Sequence, residues 1–272
     1  MREKMREKIT AAILILAFLS SSAVAQSVRE GNRVIFAPYL WATSLDGKST
    51  IGALPPLDID ASFSDLASNL EFAASLHTEF HRGPWRLVVD PMYINLSADA
   101  PPLTPIPPDA PGAKLDVTMW LVELWGAYAV TDNWEVLGGV RYQDQDLTAS
   151  RLQSPPSPST QLGVNDSWSN WFAGVRFNTA LGSKWFFTWR GDVKIAGDSD
   201  TNYNTELFFN RRFGENMALN LGYRYMRDDY ANTGVYGWDM LQQGPVLGYT
   251  LSLIHISEPT RQVLVSRMPS SA

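Results

Sequence analysis

Several stretches of the chain alternate apolar and polar residues with a period of two, the pattern of a β-strand whose two faces meet different surroundings. Trp185, Phe187, Trp189, Gly191, Val193 and Ile195 share one face, while Phe186, Thr188, Arg190, Asp192 and Lys194 share the other. Met217, Leu219, Leu221, Tyr223 and Tyr225 alternate in the same way with Ala218, Asn220, Gly222, Arg224 and Met226. Trp134, Val136, Gly138, Val140 and Tyr142 oppose Glu135, Leu137, Gly139, Arg141 and Gln143, and Trp171, Ala173, Val175, Phe177 and Thr179 oppose Asn170, Phe172, Gly174, Arg176 and Asn178. Trp85, Leu87, Val89 and Tyr93 point one way, with Arg86 and Asp90 the other. One face is apolar and rich in aromatics; the other carries charge.

Four short turn segments separate such stretches and run straight into a bulky residue: His81-Arg82-Gly83-Pro84-Trp85, Thr131-Asp132-Asn133-Trp134, Gly182-Ser183-Lys184-Trp185 and Gly214-Glu215-Asn216-Met217. They read as hairpin turns. The connections between them, 98–113, 150–165, 197–201 and 232–237, are long, Pro-rich or acidic. Periodicity alone does not separate a lipid-facing surface from a packed core. Short turns at one end with a different kind of loop at the other, and Trp85, Trp134 and Trp185 as an aromatic girdle at the turn rim, do point to a membrane barrel. The expected fold is therefore all-β, an antiparallel up-and-down transmembrane β-barrel of about ten strands over 33–45, 71–81, 85–97, 114–130, 134–148, 166–181, 185–196, 202–213, 217–230 and 239–250. Eight strands remain if 71–81 or 202–213 pairs poorly. In the first connection Asp46-Gly47 reads as a turn, 51–61 as strand extensions, and Ser62 or Ser64 as the cap of a short helix.

The N-terminus gives the compartment. Arg2, Lys4, Arg6 and Lys8 precede the apolar run from Ile9 to Leu19 and then Ala23-Val24-Ala25, the order of a secretory signal. The run is far short of the roughly 20 residues of a spanning helix. Residues 1–25 are expected to be a signal peptide and 26–250 the barrel, with Met1 and Met5 both open as the start. The chain holds no cysteine, so disulfides and thiolate metal sites are excluded. Net charge is −6, and setting aside the basic leader makes the body more acidic still. That argues against nucleic acid as a partner.

Ala37-Pro38-Tyr39-Leu40-Trp41, Phe63-Ser64-Asp65-Leu66 and Arg82-Gly83-Pro84-Trp85 followed by Asp90-Pro91-Met92-Tyr93 resemble a group of functionally uncharacterised outer-membrane β-barrel proteins of Gram-negative bacteria. The resemblance covers roughly residues 34–250 and implies the fold and the outer-membrane location; outer-membrane lipid and the barrel-assembly machinery are the partners expected of such a barrel, itself expected to be a monomer. It transfers no catalytic residue. Residues 251–261 depart from it: Leu251-Ser252-Leu253-Ile254-His255-Ile256-Ser257-Glu258-Pro259-Thr260-Arg261 is similar to a translated sequencing adapter, so 251–272 is expected to be a non-native tail. The other reading is a genuine last strand, since Tyr249, Leu251 and Leu253 continue the alternation.

The candidate site is the charged inner face: Glu79, Arg86, Asp90, Glu123, Arg141, Arg176, Arg190, Asp192 and Arg224, with Lys194, Glu206 and Arg212. Both signs are present, and buried charges need partners, so these groups are expected to pair and fill the lumen. The alternative is a narrow pathway for a small solute. An outer-membrane enzyme acting on lipid or peptide would need a base beside a nucleophile, and Ser75, His77 and Glu79 are the one grouping on offer. A soluble, lipocalin-like periplasmic barrel is a further alternative, with an apolar interior. His77, Glu79 and His81 lack a second cluster to complete a metal site. No catalytic residue, metal ligand or cofactor is assigned, and the histidines read as polar lining. The Pro-rich stretches 101–111 and 155–158 read as stiff, solvated connections, with a partner-binding surface as the alternative.

Overall fold

The computed structural model describes residues 32–52, 56–100, 113–151 and 160–255. The leader, the two Pro-rich connections and the chain from 256 onward lie outside them. The elements are β1 (Asn32–Trp41), β2 (Ser44–Ile51), β3 (Leu57–Ala61), α1 (Phe63–Ser68), β4 (Leu70–Arg82), β5 (Trp85–Ala100), β6 (Ala113–Ala129), β7 (Trp134–Arg151), β8 (Thr160–Ala180), β9 (Trp185–Gly197), β10 (Thr201–Arg212), β11 (Met217–Asn232) and β12 (Tyr236–His255). From β4 to β12 each strand pairs antiparallel with the next, and β1 pairs with both β4 and β12. The result is a closed ten-strand up-and-down barrel. Closure pairs every strand of that ring on both sides over at least part of its length. The five residues Leu251–His255, within the adapter-like segment, continue β12 and pair with Asn32–Phe36.

β1 and β2 act as one long strand along β12. Trp41 pairs with Val246 and Ser44 with Gln243, so the register is unchanged across the break at Ala42-Thr43. Asp46-Gly47 is thus not a turn but lies within β2, paired with Leu241 and Met240. The glycine serves close approach instead: a Cβ at Gly47 would stand 2.1 Å from the Asp239 carbonyl oxygen. The chain reverses later, and β3 pairs with β2 as an extension of the wall at the loop end. Two loop-end connections are tight three-residue turns, at 198–200 and 233–235. Gly197 and Gly234 adopt positive φ there.

The wall is incomplete at one place. β1 pairs with β4 only from Arg33–His81 to Pro38–Leu76. Pro38 has no N–H to offer, and the ladder stops there. Beyond it, Leu70–Ser75 of β4 has β5 on one side and, among the described residues, no strand on the other, so a seam opens between β4 and the β1–β2–β3 unit. The α1 helix crosses the loop-end mouth of this seam. Ser62 is its cap: the Ser62 hydroxyl accepts from the Asp65 N–H, while the Asp65 carboxylate accepts from the Ser62 N–H at 3.0 Å. The Ser62 hydroxyl also donates to the Asp65 carboxylate at 2.5 Å, and this bond, with the one from the Ser62 N–H, holds the Asp65 carboxyl below its usual range, so the carboxylate's share of the cap is fully present at neutral pH and is lost as pH falls through that lowered value. Ser62→Ala is expected to weaken the helix by about 0.5–2 kcal/mol, seen as faster amide exchange at Asp65 and Leu66 with the β-ladder unchanged.

Candidate functional site: the ion-paired lumen

Strand alternation inside a closed barrel sends every second side chain inward. Leu87, Leu124, Val136, Leu207 and Leu221 stand on the outer face, each 40–49% exposed, whereas Arg141, Arg190 and Arg224 are between 0% and 4% exposed. A buried guanidinium costs several kcal/mol in lost hydration unless carboxylates surround it. Glu123 of β6 supplies the centre: its Oε1 accepts from Arg141 Nε and from an Arg224 terminal nitrogen, and its Oε2 from Arg190, each at 2.7 Å. Asp192 lies 2.9 Å from Arg141 and 2.8 Å from Arg190. Glu206 lies 3.2 Å from Arg224. Three arginines therefore meet three carboxylates, drawn from β6, β7, β9, β10 and β11.

Neutral side chains complete this layer. Asn204 accepts from Arg224 Nε at 2.9 Å and donates to Asp192 and Glu206. Asn202 accepts from Arg141. Aromatic rings cover the flat guanidinium faces, with Arg141 over Phe172 at 4.9 Å, Arg190 over Trp125 at 4.7 Å and Arg224 over Trp41 at 4.8 Å. Room for the bulky members comes from inward glycines. A Cβ at Gly139 would lie 2.4 Å from Trp125 Cβ, and one at Gly174 would lie 2.7 Å from Asp192 Cβ.

A second layer lies toward the turn end. Arg176 donates bidentately to Glu79 at 2.8 and 2.9 Å and through Nε to Glu135 at 2.5 Å. Arg86 sits 3.5 Å from Glu135 and donates to the Gly83 and Trp85 carbonyls at the turn. His77 Nδ1 is 2.8 Å from Asp90, which also accepts from the Tyr39 hydroxyl at 2.8 Å. His81 Nε2 is 2.7 Å from Glu79. Toward the loop end the lining turns aromatic: Trp168 stacks on Tyr230 with centroids 4.4 Å apart and donates to Asp228 at 2.8 Å, and Met119, Tyr236, Trp238 and Met240 pack beside it.

All nine ionic residues named from the sequence are thus in the two inner layers. Of the three added to them, Glu206 joins the central layer, Lys194 reaches the Ser199 carbonyl and Arg212 lies over the Phe186 ring. The Ser75, His77, Glu79 grouping is not assembled as a nucleophile and base. Ser75 Oγ donates to the Tyr39 carbonyl, and His77 engages Asp90 through one nitrogen while the other lies 3.4 Å from Glu79. Sequence reasoning missed Glu135, Asn202 and Asn204 as network members, and missed the interior apolar clusters built on Trp125, Phe172 and Leu137 and on Trp41, Met92, Leu121 and Met226. Inward parity was the available signal. On the outer face Trp85 meets Tyr128 edge-on at 4.8 Å, Trp134 meets Phe177 at 4.8 Å, and Trp185 lies under Arg211 at 5.6 Å.

No protein-family model matches this chain, and no curated protein matches it in sequence. Solved structures do match in fold. The outer membrane protease OmpT from Escherichia coli is similar with a TM-score of 0.50 at 8% identity, covering 85% of this chain and 100% of that one. The translocator domain of the autotransporter NalP from Neisseria meningitidis gives 0.40 at 14% identity, covering 92% and 95%. The attachment invasion locus protein Ail of Yersinia pestis gives 0.37 at 10%, covering 82% and 99%. The fold resembles bacterial outer-membrane β-barrels.

Proposed function

We propose that this chain is a monomeric β-barrel of the Gram-negative outer membrane, in contact with its lipid, with a lumen closed by salt bridges, and that it serves as a structural or binding protein and not as an open pore. The observation that carries the closed lumen is Glu123, 1% exposed and held by three arginines that come from three other strands. A water-filled channel leaves its lining charges hydrated. Here they hydrate one another.

Support for the membrane comes from the spacing of outward aromatics. Trp85 and Tyr93 on β5, Tyr128 and Trp120 on β6, and Trp134 and Tyr142 on β7 are each eight residues apart, and Met217 and Tyr225 on β11 repeat the interval. Eight residues at about 3.3 Å, tilted by roughly 40°, span ~20 Å. That is close to the height of an apolar band flanked by two aromatic girdles. The signal over residues 1–25 and insertion by the barrel-assembly machinery belong to the same reading.

Planar-bilayer recordings of the refolded protein are expected to show little or no conductance; large stable pores would contradict the closed lumen. The same preparation should float with lipid vesicles and migrate differently on gels before and after heating. Recovery as a soluble periplasmic protein would favour the lipocalin-like alternative.

A further inference from the structure

We propose that the seam beside β4 is a lateral portal that takes a single acyl chain of a membrane lipid into an apolar pocket inside the wall, with α1 as its lid. The inference rests on the outer-membrane reading. Two features of the fold meet at this place. One is the missing ladder: β1 and β4 stop pairing at Pro38–Leu76, Tyr39–Trp41 goes on pairing with β12 and Leu70–Ser75 with β5, and a hydrogen bond from Ser75 Oγ to the Tyr39 carbonyl links the two strands where the ladder ends. The other is a cavity of about 70 Å³ behind it, lined by Trp41, Leu45, Leu66, Ala73, Ile94 and Met119 among others, with Thr43 and Gln242 the polar contributors.

The chemistry of the lining selects the occupant. Apolar cavities stay dry and take up apolar molecules, and among the described residues that line this one none carries a charge to hold a headgroup. The narrow volume suits the end of one chain. The direction of entry follows from the flanks: Leu40 and Phe72, on the outer face at either side of the seam, are 60% and 56% exposed, and Phe72 lies 6.0 Å from Tyr93 in the loop-side aromatic belt. A chain crossing there comes from hydrocarbon. The lid is lightly held. No residue of α1 is buried, Phe63 is 51% exposed, and the helix presents Phe63, Leu66 and Ala67 to the cavity.

The test uses the full barrel inserted in phosphatidylcholine vesicles that contain a phosphatidylcholine with a diazirine at the end of one acyl chain. After photolysis, labelled residues are mapped by mass spectrometry. Labelling of outward Leu87 and Leu124 reports insertion in the membrane, and its absence would count against the outer-membrane reading itself. Labelling of inward Ile94, Leu96 or Met119 reports passage through the wall and is expected in the wild type. Ala73→Trp, which fills the pocket, and Leu66→Asp, which places a carboxylate at its roof without touching the barrel ladder, are each expected to cut inward labelling about tenfold with outward labelling unchanged. Ala74→Trp, on the outer face, should leave both unchanged. Outward labelling without inward labelling in the wild type would overturn the portal, as would equal inward labelling in wild type and Leu66→Asp. Inward labelling by a diazirine-bearing free fatty acid but not by the phospholipid would overturn membrane lipid as the source.

Discussion

Replacing Glu123 with Gln is expected to destabilise the folded barrel by about 3–5 kcal/mol, the largest effect of any single lumen substitution. The side chain keeps its shape and loses its charge, and Arg141, Arg190 and Arg224 remain within 2.7 Å of it. Asp192 and Glu206 then face three buried guanidiniums, and a cation left unmatched at 0–4% exposure has no water to turn to. Glu206→Gln should cost less, because the Glu206 side chain is 15% exposed and its contacts are longer, at 3.2 and 3.7 Å. Urea unfolding of the vesicle-inserted protein, followed by tryptophan fluorescence, measures both. A loss below about 1 kcal/mol for Glu123→Gln, the scale of an exposed pair, would show that water reaches this layer and that the lumen is not closed.

The second large effect is on the opposite face. Leu221→Arg and Leu124→Arg are each expected to cost about 2–4 kcal/mol, the depth-dependent penalty for a cation at the middle of a bilayer. Leu124 stands midway between Trp120 and Tyr128 along β6, and Leu221 midway between Met217 and Tyr225 along β11. Both leucines are nearly half exposed. On a water-soluble barrel an exposed leucine exchanged for arginine would shift stability by no more than about 0.5 kcal/mol. The same measurement on Met217→Arg, at the rim, should give about 0–1 kcal/mol, so the profile along β11 reads depth directly.

The barrel was legible because alternation and turn chemistry act locally. Trp185 to Lys194 displays both faces within ten residues, and the short turns before Trp85, Trp134, Trp185 and Met217 mark four hairpins without any knowledge of the rest. What stayed hidden depends on distant chain segments. The partners of Glu123 lie 18, 67 and 101 residues away, so parity names the inward groups but not which of them meet. Asp46-Gly47 has the composition of a turn, yet the long β12 offers β2 a partner in the same register as β1, and the glycine is used to let the two backbones approach. Trp125, Phe172 and Trp41 have lipid-facing chemistry, but their parity sends them inward, where they pack against guanidiniums. Composition names a surface; register decides which side of the wall it occupies.

Outward apolar side chains that meet hydrocarbon and not water define a membrane barrel. The chain has no cysteine, so a nitroxide can be attached at a single introduced cysteine without removing native thiols. Labels at Val140→Cys, Leu207→Cys and Leu221→Cys, read by power-saturation electron paramagnetic resonance in vesicles, are expected to collide readily with dissolved oxygen and rarely with a water-soluble nickel chelate. High nickel accessibility at all three positions would contradict a membrane barrel.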